Sequence, residues 1–360
     1  MWKFITQLFL IIFLTHDSFS QSTDIKKLKS LLGTSTDTAK VNVLNDLAKA
    51  YQFSDVQSLL DYSIAARDLS RKLSFRKGEA RAICNIGTYY SRIGNNDEAI
   101  KHFRLAYSLV DPKNYYVKMI LLYNLGVNDP TDKRLTYLFD AIRLAKKIHF
   151  KQIGYFYSSV GKYYYNKSDF SNSYKYFIEA LKISQKLNDS TTIAVALADI
   201  SSILDTQDDE KSFAHCKDAI RLAQHIHNKM LECIIKEELA SYYRKKGDLD
   251  TALCIAVDAL KLAKEVKYQP GVWAALAEVG HIHQLKGNLK EAIRNYTNAL
   301  LMVPKSPEDK GDILIKLASI QNTLHRPKKA YQYLKNAKSY LEQTKNLLVR
   351  SDLYFELSEM

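Results

Sequence analysis

Glycine and proline are scarce in this chain, at 12 and 6 in 360 residues, where the two together ordinarily make up about 12%. A sheet protein with many tight turns needs more of both, so an all-β fold is excluded at the outset. Cysteine is scarce as well, with Cys84, Cys216, Cys233 and Cys254 scattered through helix-forming sequence. Four dispersed cysteines do not make the framework of a disulfide scaffold and read as isolated, mostly buried thiols. No Gly-rich phosphate loop, nucleophile elbow or pair of catalytic carboxylates stands in a matching context, so no catalytic residue and no cofactor is assigned.

What the chain has instead is helix-forming sequence rich in Ala, Leu, Lys and Ile, with 46% hydrophobic residues. That is enough for a long core and excludes wholesale disorder. The start is different. Met1-Trp2-Lys3 is a short basic segment, Phe4 to Leu14 is an apolar run, and Ser18-Phe19-Ser20 places small residues before Gln21. This is the pattern of an export signal over residues 1–20, too short for a permanent bilayer span of about 20 residues. An uncleaved anchor is the alternative. Net charge is +13, and removing Lys3 together with Asp17 leaves it unchanged, so the exported body is the basic part. Outside the cytoplasm, an acidic protein, glycan or envelope surface is a better partner for that charge than nucleic acid.

Self-similarity decides the fold. Ala66, Ala106, Ala141, Ala180, Ala219, Ala259, Ala299 and Ala337 follow one another at steps of 40, 35, 39, 39, 40, 40 and 38 residues. Nineteen residues before five of them sits a small residue: Gly87, Gly161, Ala240, Gly280 and Ala318. Tyr90, Tyr164, Tyr243, His283 and Gln321 come three later, and turn glycines follow in the best copies at Gly94, Gly247 and Gly287. A second small residue comes next (Ala99, Ser173, Ala252, Ala292, Ala330), then Phe103, Phe177 or Tyr296. Small residues let two helices of a hairpin approach, and bulky ones three or four positions away fill the grooves between them. Glycine supplies the positive φ of a helix C-terminus. Asn96 or Asp97, Asp248 and Asn288 are N-cap candidates for the second helix.

The unit is therefore helix A, turn, helix B, and it resembles the tetratricopeptide repeat family in eight degenerate copies over residues 40–349. The expected fold is all-α, a right-handed α-solenoid of about eight such hairpins. The step exceeds the usual 34 residues, and the excess is placed in a longer helix B. Pro130 interrupts the third unit, where the step falls to 35. Residues 21–39 are a leader whose helix, Ile25 to Leu32, ends at Gly33, with Leu28, Leu31 and Leu32 capping the first repeat. Residues 350–360 begin a ninth helix A or a C-terminal cap. The leader and first repeat also resemble exported segments of Bacteroidota sensor kinases and regulators, which implies a periplasmic or secreted, Gram-negative setting.

The inner face of such a solenoid is lined by A helices. Stepping along them gives the candidate contacts Asn45, Lys49, Arg81, Asn85, Arg92, Tyr155, Lys162, Tyr165, Arg244 and Lys245, a basic face with tyrosines suited to an extended acidic peptide. The carboxylate clamp of some family members is not matched, since Asn45 stands where Lys is expected and Lys49 where Asn is. His225 with His227, and His281 with His283, are two apart and so diverge around a helix, which argues against a metal site. The reading is a non-catalytic envelope module that binds a protein or peptide, with no nucleic acid and no small-molecule substrate. Its alternatives are a structural scaffold or assembly factor, and a truncated sensor segment of a histidine kinase or transcriptional regulator.

Overall fold

The computed structural model describes residues 21–204, 209–303 and 307–342. The export signal, its cut site and residues 343–360 lie outside them. The described residues form seventeen helices and no strand. A leader helix α1 (Gln21–Thr34) precedes eight hairpins: α2 (Asp37–Tyr51) with α3 (Val56–Lys72), α4 (Arg76–Arg92) with α5 (Asn96–Leu109), α6 (Tyr115–Asn128) with α7 (Lys133–Lys147), and α8 (Gly154–Asn166) with α9 (Phe170–Lys186). They continue with α10 (Ser190–Leu204) and α11 (Asp209–His225), α12 (Lys229–Lys245) and α13 (Leu249–Glu265), α14 (Gln269–Leu285) and α15 (Leu289–Met302), and α16 (Pro307–Thr323) and α17 (Pro327–Leu341). The chain divides into two compact units, residues 1–235 and 236–360.

All eight alanines of the B-helix register are fully buried, at 0% exposure. The aromatic partners lie against the small residues of the A helix. A methyl group on Gly87 would stand 2.7 Å from the Phe103 ring, one on Gly161 2.4 Å from Phe177, and one on Gly280 3.1 Å from Tyr296. A buried Phe103 contributes roughly 2 kcal/mol through its area alone. In the first unit the cluster around it draws Leu121 and Leu125 from the next A helix, so that hairpin is covered by its successor. In the second unit Ala240, Ala252 and Ala256 pack with Val279 and Ile282 in the same way.

The turns follow one rule. At ten of them a residue with positive φ ends the helix: Gly94, Gly247 and Gly287, and also Ser74, His149, Ser168, Asn188, His227, Lys267 and His325. In each, its N–H and that of the next residue reach back to carbonyls of the last turn, as Ser168 does to Tyr165 (2.9 Å) and Asp169 to Tyr164 (3.0 Å). This is the Schellman closure. Except after His149, where the following helix is capped at Ile153, the next residue is already the N-cap of the following helix, and Asn95, Asp169, Asp189, Asn228 and Asp248 accept a backbone N–H there. The cap of α5 is thus Asn95, one residue before the expected Asn96 or Asp97. Asn288 holds the cap position of α15 without a side-chain bond.

Two further expectations change, and the expected interruption at Pro130 takes a specific form. The length beyond 34 residues is not confined to helix B, since the A helices α4, α12, α14 and α16 and the B helices α3, α9, α11 and α13 all have 17 residues. The leader helix runs through Gly33 to Thr34, and of its leucines Leu32 packs on Leu44, Ala66 and Ala82 while Leu31 is 42% exposed. At Pro130 the positive-φ turn is replaced by a clasp. Arg134 donates to the Asp129 and Val127 carbonyls at 2.9 and 3.2 Å, and Thr131 N–H donates to the Asp129 carboxylate at 2.8 Å. Cys84, Cys216, Cys233 and Cys254 form no disulfide with one another, with Cys216 and Cys233 buried and Cys254 exposed. No helix among the described residues is long and apolar enough to cross a membrane.

Candidate recognition face

The A-helix residues singled out from sequence fall into three environments. Asn45 and Tyr155 are buried, at 0% and 6% exposure, and these are corrections. Both positions face the neighbouring A helix, whose bulk was invisible in one repeat read alone. Asn45 donates to the Val41 and Gly78 carbonyls at 3.1 and 3.3 Å and accepts from the Asn85 amide at 3.1 Å. Burial holds the Tyr155 phenol far above its usual range, with Asp189 adding to the effect.

The second group is tied into ion pairs one repeat apart. Lys162 of α8 meets Asp199 of α10 at 3.1 Å, and the carboxylate side chain is only 4% exposed. Arg244 of α12 meets Glu278 of α14 at 2.6 Å and donates to Ser241 at 2.9 Å. These two cations staple A helices together, so they do not present free charge to a ligand. Burial raises the Asp199 carboxyl above its ordinary value, with Lys162 and Ser158 acting in the opposite sense. Arg92 lies 4.2 Å from the centre of the Phe53 ring, Tyr165 meets Phe170 edge-on at 5.5 Å, and Lys245 is exposed at the end of α12.

The third group forms a half-exposed patch on the first two hairpins. Arg81 is paired with Asp46, and both side chains are about two-fifths exposed. Lys49 stands beside them, its ammonium pushed below the usual lysine range by burial and by the Arg81 charge, with Asp46 only partly offsetting this. Asn85 adds an amide, and Tyr116, 39% exposed on α6, feels the Arg81 charge. Two cations therefore share one carboxylate. Cys84 lies under the patch, its thiol pushed up to about 11 by burial. Asp46 and Tyr116 were not identified from sequence. Asp46 directly follows a candidate, and its partner Arg81 lies 35 residues on, which was the signal available.

The histidine pairs do not converge. His227 occupies a positive-φ turn, and His281 is kept neutral, its pKa pushed down to about 3 by burial and by Arg244 and Lys316. No cluster of metal-ligating side chains occurs among the described residues.

Stacked helical hairpins with buried small residues and a polar A-helix face define an α-solenoid scaffold of tetratricopeptide type. The tetratricopeptide repeat family model matches residues 80–109, within α4 and α5. Among solved structures the chain is similar to a Rap protein complexed with competence and sporulation factor (14% identity, 94% of this chain, 100% of that one, TM-score 0.55). It is similar also to the apo form of RapI (12% identity, 70% and 92%, TM-score 0.52). A third likeness is to a signal-transduction ATPase with numerous domains from Pyrococcus horikoshii that carries a tetratricopeptide repeat sensor (16% identity, TM-score 0.52). The chain is covered to 94% in that comparison and spans 55% of the archaeal protein. At such identities the likeness is one of fold. No curated protein sequence matches the chain.

Proposed function

We propose that this protein is a non-catalytic, exported recognition module that captures a protein or peptide on the A-helix face of its first hairpins. The observation that carries the reading is the patch of Asp46, Lys49, Arg81 and Asn85. Lys49 is half-buried with less anionic compensation than its surroundings require. A carboxylate brought by a partner would supply it through charge-assisted hydrogen bonds, which makes an acidic segment the preferred ligand. The Rap structure, held with a competence and sporulation factor, offers a parallel for a repeat scaffold of this length.

A photo-crosslinking residue at Asn85 tests the reading, with a second at the exposed Asp68 of α3 as comparison. The expected outcome is a protein or peptide adduct from position 85 that disappears in Lys49→Glu/Arg81→Glu. Adducts from position 68 alone, or adducts indifferent to the charge reversal, would hand the function to the scaffold alternative. Export is part of the proposal and is supported by the pattern of residues 1–20. Cell fractionation of the tagged chain, with N-terminal sequencing that starts at Gln21, is the expected result. A second reading, the sensory segment of a longer signalling protein, draws on the archaeal neighbour whose repeats are a sensor.

A further inference from the structure

The outward faces of α7 and α9 carry a different chemistry from the A-helix face. The two helices bury Leu138, Ala141, Ile142 and Ala145, and Ser173, Phe177, Ala180 and Ser184, and turn the opposite sides to solvent. They touch through Phe139 and Tyr176, whose ring centres are 6.2 Å apart, so the exposed sides are neighbours. On α7, Arg143, Lys146 and Lys147 are exposed in successive turns from Phe139, which is itself 40% exposed. On α9, Lys175, Lys182 and Lys186 are exposed along one side, flanked by Tyr174, which is 41% exposed. The only acidic residues of the two helices are Asp140, paired with Arg143 at 2.8 Å, and Glu179.

We infer that this face docks on an anionic lipid surface. Its charge calls for an anionic partner, and the mix of residues selects among them. Five of the six cations named are lysines, which are depleted at protein–protein interfaces, whereas arginine is enriched there. Lysine is a hydrated point charge on a long flexible stem, suited to a diffuse layer of headgroups more than to a fixed carboxylate. Phe139 and Tyr174 project from the same field, and aromatic side chains among lysines are the composition of surfaces that rest in the headgroup region. The A-helix patch is not involved, so the inference stands independently of the proposed function.

Flotation of the full chain with vesicles tests it, using phosphatidylcholine alone and phosphatidylcholine with about 30% phosphatidylglycerol, since each lysine near such a surface is worth about fivefold in partition. Binding to the mixed vesicles, little to the neutral ones, and release by salt are the expected results. Lys146→Glu/Lys182→Glu/Lys186→Glu, with helicity checked by circular dichroism, should lower the partition coefficient at least tenfold, and Phe139→Ser/Tyr174→Ser should lower it severalfold. Equal flotation on both vesicles, or no change in the charge-reversed chain, overturns the inference. So does tighter retention on poly-glutamate than on the anionic vesicles, which would assign the face to an acidic polypeptide.

Discussion

In the first unit Lys162 reaches Asp199 across one A-helix step, and in the second Arg244 reaches Glu278 across another. Both pairs are shielded from water, yet their surroundings answer acid in opposite directions. Asp199 has its carboxyl raised by burial, so the folded chain holds a proton there at a pH where the unfolded chain has lost it. Acidification through that window favours the folded first unit at this site. His281 lies beside Arg244 with its pKa lowered to about 3, so between its ordinary value and that one only the unfolded chain takes up the proton. The second unit draws stability from His281 above about pH 6.5 and loses it as the pH falls towards 3. A shared device for joining A helices thus carries no shared pH response. The response is set by which ionisable group happens to be buried beside it.

The largest effect should come from His281. A shift of this size is worth on the order of 4 kcal/mol across the window. The hydrogen-exchange protection factors of α14, which are corrected for the intrinsic pH dependence of exchange, should therefore fall between pH 6 and 4, and His281→Gln should flatten that dependence while α10 stays protected. An equal loss in both helices would break the comparison. Next, Glu278→Ala leaves the Arg244 guanidinium, 8% exposed, without its carboxylate. The expected loss is about 3 kcal/mol in denaturant unfolding of the second unit. The turns give a smaller test. Ser168 in the first unit stands where Gly247 and Gly287 stand in the second, all at positive φ. Ser168→Gly should raise stability by about 1 kcal/mol and Gly247→Ser should lower it by a similar amount. Smallest of all, Asp46→Ala removes a pair whose ends are 40 and 43% exposed, and should cost less than about 0.5 kcal/mol in thermal unfolding.

The hairpin register was legible because its rules are local. A small residue and an aromatic sixteen positions apart need only one hairpin to meet, as Gly161 does with Phe177. The recognition face was legible only in outline. Whether an A-helix cation is free depends on the residue that the next repeat places opposite it, and Asp46, Asp199 and Glu278 lie 35, 37 and 34 residues from their partners. Asn45 shows the same limit from the other side. Read alone it is a polar surface residue, but Asn45, Asn85 and Asn124 recur at one register, Asn45 and Asn124 are buried, and the half-buried Asn85 bonds to Asn45. The positive-φ turns were found where glycine marked them and missed at His149, His227 and Lys267, where the backbone closure alone imposes the conformation.

The two-residue turns also decide where the chain can be cut. A protease needs a stretch of backbone long enough to lie extended in its cleft, and a helix end whose next residue already caps the following helix supplies none. Among the described connections four are longer: residues 52–55 between α2 and α3, 110–114 between α5 and α6, the Pro130 corner between α6 and α7, and 148–153 between α7 and α8. The proline corner apart, only 110–114 exposes three residues in a row, Asp111–Lys113. At that corner the Arg134 clasp holds the backbone on both sides of the proline. Nicking should begin at Asp111–Lys113, and the same three residues are the place to splice in a tag without disturbing a hairpin.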